Sequence, residues 1–175
     1  IAITSFTRVT EIKPDHFITI TNLGIALNTK GDADAAIDCF KRALQINPNH
    51  IKALISLGKA LREQGDLNGA IDNFESAIKI NPKSAEAYDN LGLALNDNSE
   101  LDAAIDNFKM AIELKPNSVG AFNNLANALV GKGRLDEAID YYERAIKLKP
   151  DFAIAYNNLG NALKEKEELD AGIKS

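Results

Sequence analysis

The chain has 175 residues, of which 45% are hydrophobic and 26% charged, with a net charge of −5 and a single cysteine. The acidic balance argues against nonspecific nucleic-acid binding, which depends on clustered Lys and Arg. No apolar run reaches the roughly 18 residues that a membrane span needs, and one cysteine cannot form an internal disulfide. From these properties we expect a cytoplasmic chain.

The five prolines recur at a constant interval of 34 residues, at Pro14, Pro48, Pro82, Pro116 and Pro150. A period of about 20–50 residues indicates tandem repeats that stack on one another. Complete repeats are predicted at 17–50, 51–84, 85–118 and 119–152, with residues 1–16 as the second-helix half of an earlier repeat and 153–175 as the first helix and the start of the second helix of a later one. Because the chain lacks an initial Met and both ends fall inside a repeat, we expect it to be a piece of a longer protein.

Each repeat is predicted to hold a first helix, at roughly 19–30 in the first complete repeat, and a second helix at roughly 34–47. Apolar residues at spacings of 3, 4 and 7 lie on one face of the first helix. The central column of this face is Leu23, Leu57, Leu91, Leu125 and Leu159. The next residue is Gly in four cases of five. Because Gly costs about 1 kcal/mol relative to Ala inside a helix, we infer that two helix backbones approach closely there.

The second helix repeats an Ala-x3-Phe pattern, in which the aromatic column is Phe40, Phe74, Phe108 and Tyr142. The turn between the two helices is predicted at Gly31, Gly65 and Gly133, in the left-handed conformation. Ser99 and Glu167 replace this glycine in two repeats, and at the first of these we expect Asn98 to adopt the turn conformation. Asp32 and Asp66 are candidate N-caps of second helices. The candidate caps of the first helices are Asp15, Asn49, Asn117 and Asp151.

The pattern Tyr88, Leu91-Gly92, Leu95, Ala104, Phe108 and Pro116 resembles the tetratricopeptide repeat (TPR) family. This resemblance implies an all-α solenoid in which antiparallel helix pairs form a right-handed superhelix. The first helices would line a concave groove that binds peptides or proteins without catalysis. Residues 155–164 are similar to the repeats of O-linked N-acetylglucosamine transferase. This resemblance implies that the Asn immediately before the Leu of each repeat binds the backbone of a ligand.

The Asn column before the Leu is the candidate binding surface, and it consists of Asn22, Ser56, Asn90, Asn124 and Asn158. A carboxamide offers both a donor and an acceptor, so it suits the backbone of an extended peptide. Further asparagines are expected to enlarge this surface at Asn123, Asn127, Asn157 and Asn161. Two alternatives remain open, namely pairing between neighbouring repeats and simple solvation of a polar face.

A basic trio, Lys52, Lys59 and Arg62, shares one face of the second complete repeat, and it is flanked by Glu86, Asp89 and Asp97. A carboxylate would dock on such a trio, although a solvated face with compensating charges is the favoured interpretation. Some TPR proteins bind the C-terminal carboxylate of a chaperone through two Lys, two Asn and an Arg. Because Ser56 stands where that Arg is expected, we disfavour this function.

No pattern in the sequence predicts a catalytic, metal or cofactor site. His16 and His50 are expected to lie at helix starts, and Cys39 is expected to be exposed. The favoured partner is therefore a protein or peptide and no nucleic acid. One alternative is the substrate-selecting arm of a larger enzyme such as a glycosyltransferase. Another is end-to-end self-association through apolar residues of the two terminal half-repeats, namely Ile3, Phe6, Val9, Leu169 and Ile173.

Overall fold

The structure, a computed structural model, describes residues 2–173, and the side chains of residues 2, 11, 172 and 173 are not described. Over the described range the regular secondary structure is entirely α-helical. In chain order the helices are α1 (Ala2–Ile12), α2 (Phe17–Lys30), α3 (Ala33–Ile46), α4 (Ile51–Glu63), α5 (Leu67–Ile80), α6 (Ala85–Asp97), α7 (Leu101–Leu114), α8 (Val119–Gly131), α9 (Leu135–Leu148) and α10 (Ala153–Ile173). None of the helices within residues 2–173 is both long and apolar enough to cross a membrane.

The chain divides into two compact units, which we call the N-terminal unit (Ile1–Ala94) and the C-terminal unit (Leu95–Ser175). In the N-terminal unit α1 packs on α2, α2 on α3, α3 on α4 and α4 on α5, and in the C-terminal unit α7 packs on α8, α8 on α9 and α9 on α10. A single helix pair buries few large side chains, so contacts with the next helix supply much of the core. The fully buried aromatic residues of the second helices are Phe40, Phe74 and Phe108.

The N-cap positions of the first helices lie one residue after the predicted caps. The side chains that cap them are Ser84, which accepts from Ala87 N at 3.3 Å, and Ser118, which accepts from Ala121 N at 3.4 Å. The prediction of Asp15, Asn49, Asn117 and Asp151 as caps was wrong. Those residues lie inside tight turns, each closed by the backbone N–H of the following residue, and this adds one residue before the helix starts.

The turns within the repeats confirm the predicted role of glycine. Gly31, Gly65 and Gly133 have φ of 93°, 86° and 70°, in the left-handed region where glycine is favoured. The predicted N-caps are also confirmed, because the carboxylates of Asp32 and Asp66 accept hydrogen bonds from backbone N–H groups three residues later.

Ser99 adopts the left-handed conformation with a φ of 64°, so the prediction that Asn98 would do so was wrong. The backbone hydrogen bonds explain the position. Ser99 N donates to Asn96 O at 3.0 Å and Glu100 N donates to Leu95 O at 2.8 Å, the same two bonds that close the glycine turns. Because these bonds bring the end of α6 to the same point as in the glycine turns, the residue that follows adopts the left-handed conformation although it is a serine.

The predicted turn near Glu167 is absent, since α10 continues without a break from Ala153 to Ile173. Two sequence features account for the difference. This position lacks the glycine that turns elsewhere, and its neighbours are Lys and Glu residues, which favour helix. Lys164 and Glu168 also form an ion pair of 3.6 Å along the helix. Residues 153–173 are therefore one helix rather than a first helix and the start of a second.

Two glycines in the first helices, Gly24 and Gly58, lie against an aromatic ring of the second helix. A Cβ atom built on Gly24 would lie 2.6 Å from Phe40, and one built on Gly58 would lie 2.7 Å from Phe74. The sequence had predicted a close approach of two helix backbones. At Gly24 a backbone atom is also near, since Ala36 O would lie 3.1 Å from the Cβ atom, whereas the three atoms nearest to a Cβ on Gly58 all belong to the Phe74 ring. At Gly160, by contrast, a Cβ atom would meet nothing within 4 Å.

Polar pairs connect second helices to the first helices that follow them, at a spacing of 30 residues. Gln64 donates to Asp34 at 2.7 Å in the N-terminal unit. In the C-terminal unit Lys132 pairs with Asp102 at 2.8 Å, and Lys166 pairs with Asp136 at 2.5 Å. Exposed pairs contribute little to the free energy of unfolding, but these pairs favour the observed alignment of each second helix with the first helix that follows it.

Candidate functional site

The N-terminal unit contains a cavity of about 610 Å³, which is lined mainly by residues of first helices. Its apolar part consists of side chains such as Ile25 and Ile55, and its polar part includes Lys52, Ser56 and Lys59. Volumes of about 300–1,000 Å³ are typical of ligand sites. The cavity therefore has both the size and the mixed lining that a peptide side chain and its backbone require.

Asn22 and Lys52 are joined across α2 and α4. Lys52 Nζ donates to Asn22 Oδ1 at 3.0 Å, and Asn22 is half-buried. This contact accounts for one of the two polar groups of the Asn22 carboxamide and leaves its Nδ2 donors for other partners. Among the side chains that the structure describes, no acidic group pairs with Lys52.

Lys59 is already neutralised within the same cavity. Its Nζ lies 2.6 Å from Glu86 Oε1, and both side chains are substantially exposed, at 42% and 62%. Arg62, the third member of the basic trio, also has an interaction partner and does not line the cavity. Lys52 and Lys59 thus share one cavity, while the ligand role predicted for the trio stays a prediction.

Asn90 is half-buried and satisfies part of its own hydrogen-bonding capacity. Its Nδ2 donates to Glu86 O at 2.7 Å, one turn earlier in α6. Such a bond to the same helix holds the carboxamide against the backbone and leaves its oxygen available. Asn124, in the same column of the C-terminal unit, is half-buried and also has an interaction partner.

Asn158 belongs to a hydrogen-bonded cluster of three asparagines and one tyrosine. We call it the amide cluster, and it consists of Asn123, Asn127, Tyr142 and Asn158. Asn158 Nδ2 donates to Asn123 Oδ1 and to Asn127 Oδ1, each at 3.1 Å. Tyr142 Oη donates to Asn127 Oδ1 at 2.6 Å. The sequence analysis did not find the role of Tyr142. The signal was present, because the other residues of its column are phenylalanines.

The asparagines added to the surface late in the chain differ in exposure. Asn127, Asn157 and Asn161 are exposed. Asn123 is only 6% exposed, so its predicted place on the open surface was wrong. The reason is its pairing with Asn158, since α10 covers the side chain. A small cavity of about 200 Å³ in this unit is lined by Asn127, Val130, Tyr142, Asn158, Asn161, Ala162 and Glu165.

Cys39 is half-buried, so the prediction of an exposed thiol was wrong. It packs against a small cluster formed by Ile20, Ala43 and Ala53. Burial is the largest influence on its pKa and raises it, which keeps the thiol protonated and weakly nucleophilic. The same column holds asparagines whose amides bond to their own helix, at Asn73 and Asn107.

His16 and His50 lie directly before α2 and α4, as predicted. His16 Nδ1 is 2.6 Å from Thr19 Oγ1. The His50 ring meets the Phe17 ring edge-on, with 4.8 Å between centroids. His50 Nε2 is buried and has no hydrogen-bond partner in the described part of the chain. Burial, followed by the charge of Lys52, lowers the pKa of His50.

Replacing His50 with Ser should reduce the loss of stability in mild acid. Because the folded-state pKa is below the ordinary value of about 6.5, the unfolded chain binds more protons in this range. The stability linked to His50 is thus complete above about pH 6.5 and declines as the pH falls towards the folded-state pKa. His50→Ser should also gain the N-cap bond that Ser84 and Ser118 make, worth about 1 kcal/mol.

Urea unfolding at pH 7.5 and pH 5.0 would measure both effects of His50→Ser. The difference in the free energy of unfolding between the two pH values should be smaller in the variant than in the unmodified chain. His16→Ser changes the equivalent position of the preceding repeat and serves as the matched control. An identical pH dependence for His50→Ser and the unmodified chain would contradict the argument.

The apolar residues proposed for self-association have mixed exposure. Val9 is 39% exposed and Leu169 is 52% exposed, whereas Ile3 and Phe6 are half-buried. The side chain of Ile173 lies outside the described residues. Association of two copies through these residues stays a prediction from the sequence.

Comparisons with known proteins agree on one family. Models described as "TPR repeat" match residues 58–99, 94–133 and 126–166, and others described as "Tetratricopeptide repeat" match residues 19–50 and 39–72. A search of curated proteins found no match.

Solved structures of similar fold cover most of the chain. A crystal structure of MamA protein is 35% identical, with a TM-score of 0.77 and coverage of 90% of this chain and 86% of that chain. Another crystal structure of MamA is 29% identical, with a TM-score of 0.78 and coverage of 86% and 88%. YrrB, described as "a TPR protein with an unusual peptide-binding site", is 23% identical, with a TM-score of 0.75 and coverage of 93% and 84%.

Proposed function

Because this chain belongs to the tetratricopeptide repeat family and has the α-solenoid fold of that family, it is an interaction scaffold, and we propose that it is non-catalytic and binds an extended peptide. The peptide lies along the first helices, and the asparagine column contacts its backbone. The repeat boundaries that the prolines predict, 17–50, 51–84, 85–118 and 119–152, are part of this proposal.

The observation that carries the proposal is the large cavity on the first-helix side of the N-terminal unit. It combines apolar residues with polar groups that retain unused donors and acceptors, and the asparagines of the column are half-buried rather than fully enclosed. Each hydrogen bond to a peptide would contribute about 0.5–1.5 kcal/mol. A few such bonds together with apolar contact support binding in the roughly micromolar range.

The test uses a phage-displayed library of random heptapeptides, selected on the 175-residue chain. An enriched peptide is then measured by fluorescence anisotropy against a triple variant, Asn90→Ala, Asn124→Ala and Asn158→Ala. We expect the dissociation constant to rise at least tenfold, because the variant removes carboxamide contacts from the binding face. Circular dichroism should show the same helicity in both proteins, since Ala favours helix.

A matched control replaces three exposed asparagines that lie outside the first helices, at Asn49, Asn68 and Asn117. This control should bind the peptide as the unmodified chain does. Equal affinity of the first triple variant and the control would reject the asparagine column as the binding surface. Failure to enrich any peptide would reject the proposed function itself.

A further inference from the structure

The amide cluster of the C-terminal unit has a fixed orientation. Asn127 Oδ1 receives two donors, the hydroxyl of Tyr142 and an N–H of Asn158. Its Nδ2 group must therefore point away from both. Asn158 uses both of its N–H donors, one on Asn127 and one on Asn123, so its own oxygen is left as an acceptor.

The groups that remain free form a complementary pair. The cluster offers the N–H donors of Asn127 and the carbonyl oxygen of Asn158 beside a cavity of about 200 Å³. A peptide group presents one C=O acceptor and one N–H donor, which match these two. The cavity is below the range of about 300–1,000 Å³ that small-molecule sites occupy, so it suits a single side chain with its adjoining backbone.

Tyr142 is what distinguishes this repeat from the others. Its ring occupies the column of Phe40, Phe74 and Phe108, and it is 2% exposed. Burial raises the pKa of its hydroxyl to about 12, so the hydroxyl remains a donor at neutral pH. Asn127 likewise takes a position that is Ile25, Lys59 or Leu93 in the N-terminal unit. The bond between these two side chains therefore occurs in one repeat alone among those described.

The charge beside the cavity is negative. Glu165 lines it, and in the described part of the chain no cation pairs with this carboxylate. The two flanking lysines have other partners, since Lys164 lies 3.6 Å from Glu168 and Lys166 lies 2.5 Å from Asp136. Val130 also lines this cavity and offers an apolar surface that suits the methylene stem of a long basic side chain.

We infer that this site binds the backbone amide of a peptide next to a lysine or arginine, whose cationic group reaches Glu165. Tyr142 acts as a positioning residue, because it holds the Asn127 carboxamide in the orientation that the peptide group requires. The inference rests on the proposed peptide-binding function and specifies which ligands the C-terminal unit selects.

The test compares sequences selected from the random heptapeptide library on the 175-residue chain and on Glu165→Lys. The unmodified chain should enrich Lys and Arg at one position, and Glu165→Lys should lose this preference or replace it with Asp and Glu. Glu167→Lys makes the same charge change on the same helix outside the cavity, and it should keep the preference for basic residues. The best basic peptide should bind Tyr142→Phe about five- to tenfold more weakly than the unmodified chain.

Two further measurements separate positioning by Tyr142 from a structural role. The Tm of Tyr142→Phe should stay within a few degrees, because three second helices carry Phe at this place. The side-chain amide resonances of Asn127 and Asn158 should shift in its NMR spectrum. Unchanged affinity and unchanged amide resonances in Tyr142→Phe would overturn the positioning role.

The outcomes of the selection also distinguish this inference from the proposed function. Enriched peptides without a basic preference, or with one that Glu165→Lys leaves intact, would overturn the inference while the peptide-binding function stands. If no peptide is enriched at all, both are overturned.

Discussion

Phe74→Ala is expected to lower the free energy of unfolding by about 3–5 kcal/mol, the usual range for removing a buried aromatic ring. The ring is 0% exposed and fills the space above Gly58, where a Cβ atom would approach it to 2.7 Å. Removing it leaves a cavity beside a residue that has no side chain to fill it. Urea unfolding followed by circular dichroism would measure the loss.

A second substitution shows whether the ring is the reason for the glycine. In the unmodified chain Gly58→Ala should be destabilising by about 1 kcal/mol, because overpacking exceeds the gain in helix propensity. Combined with Phe74→Ala, the same change should become stabilising by about 1 kcal/mol. The coupling of about 2 kcal/mol is typical of residues in contact.

Gly160→Ala is the matched control for this cycle. It lies in the same column, but its Cβ atom would meet nothing within 4 Å, so a gain of up to about 1 kcal/mol is expected. Ala126 stands in the same column and is fully buried, so another repeat accommodates a Cβ atom at this place. The penalty expected at Gly58 is therefore at the lower end of the roughly 1–3 kcal/mol that overpacking costs. If Gly58→Ala changes the free energy of unfolding in the same direction with and without the Phe74 ring, contact with the ring is not the reason for glycine at this position.

Converting the turn Ser99-Glu100, between α6 and α7, to the Gly-Asp sequence found at Gly31 and Gly65 should raise the free energy of unfolding by about 1.5–2 kcal/mol. Ser99→Gly removes the cost of a left-handed serine, which is roughly 1 kcal/mol after allowance for the flexibility of glycine in the unfolded chain. Glu100→Asp adds an N-cap of about 1 kcal/mol, because Glu100 makes no side-chain cap bond to α7. The bond from Asn98 to Glu100 is lost, which reduces the gain slightly.

Thermal and urea unfolding of the two single variants and the double variant would measure these gains. Asn98→Gly serves as the control, because the left-handed residue in this turn is Ser99 rather than Asn98. That control should give no stabilisation. A double variant no more stable than the unmodified chain would show that this turn carries no strain.

The fold was predictable from the sequence because the same pattern of residues recurs in successive repeats. The 34-residue proline interval and the Leu, Gly and Phe columns fixed the helix pairs, and Gly31 and Asp32 marked a turn that the structure confirms. Where a repeat departs from its column, the prediction failed. Ser99 turns because the hydrogen bonds of its neighbours leave no alternative, and Glu167 continues a helix because its neighbours favour it.

The candidate site was less predictable, since a column fixes a face but not the partners of a side chain. The position of Asn158 in the column was evident, but its pairing with Asn123 depends on how α10 lies against α8. The role of Tyr142 depends on a single hydroxyl meeting a single carboxamide. Such contacts join residues 15–35 positions apart and depend on how the helices pack. Because the residues differ between repeats, a contact in one repeat does not predict the same contact in another.

The polar pairs at a spacing of 30 residues have an evolutionary consequence. The block 119–152 carries both a partner for the preceding junction, Lys132, which pairs with Asp102, and an acidic group for the following one, Asp136, which pairs with Lys166. This block can therefore be duplicated or deleted without leaving an unmatched charge at the new boundary. An array built from such blocks can change its length by whole repeats while the polar side chains at each junction between repeats still pair.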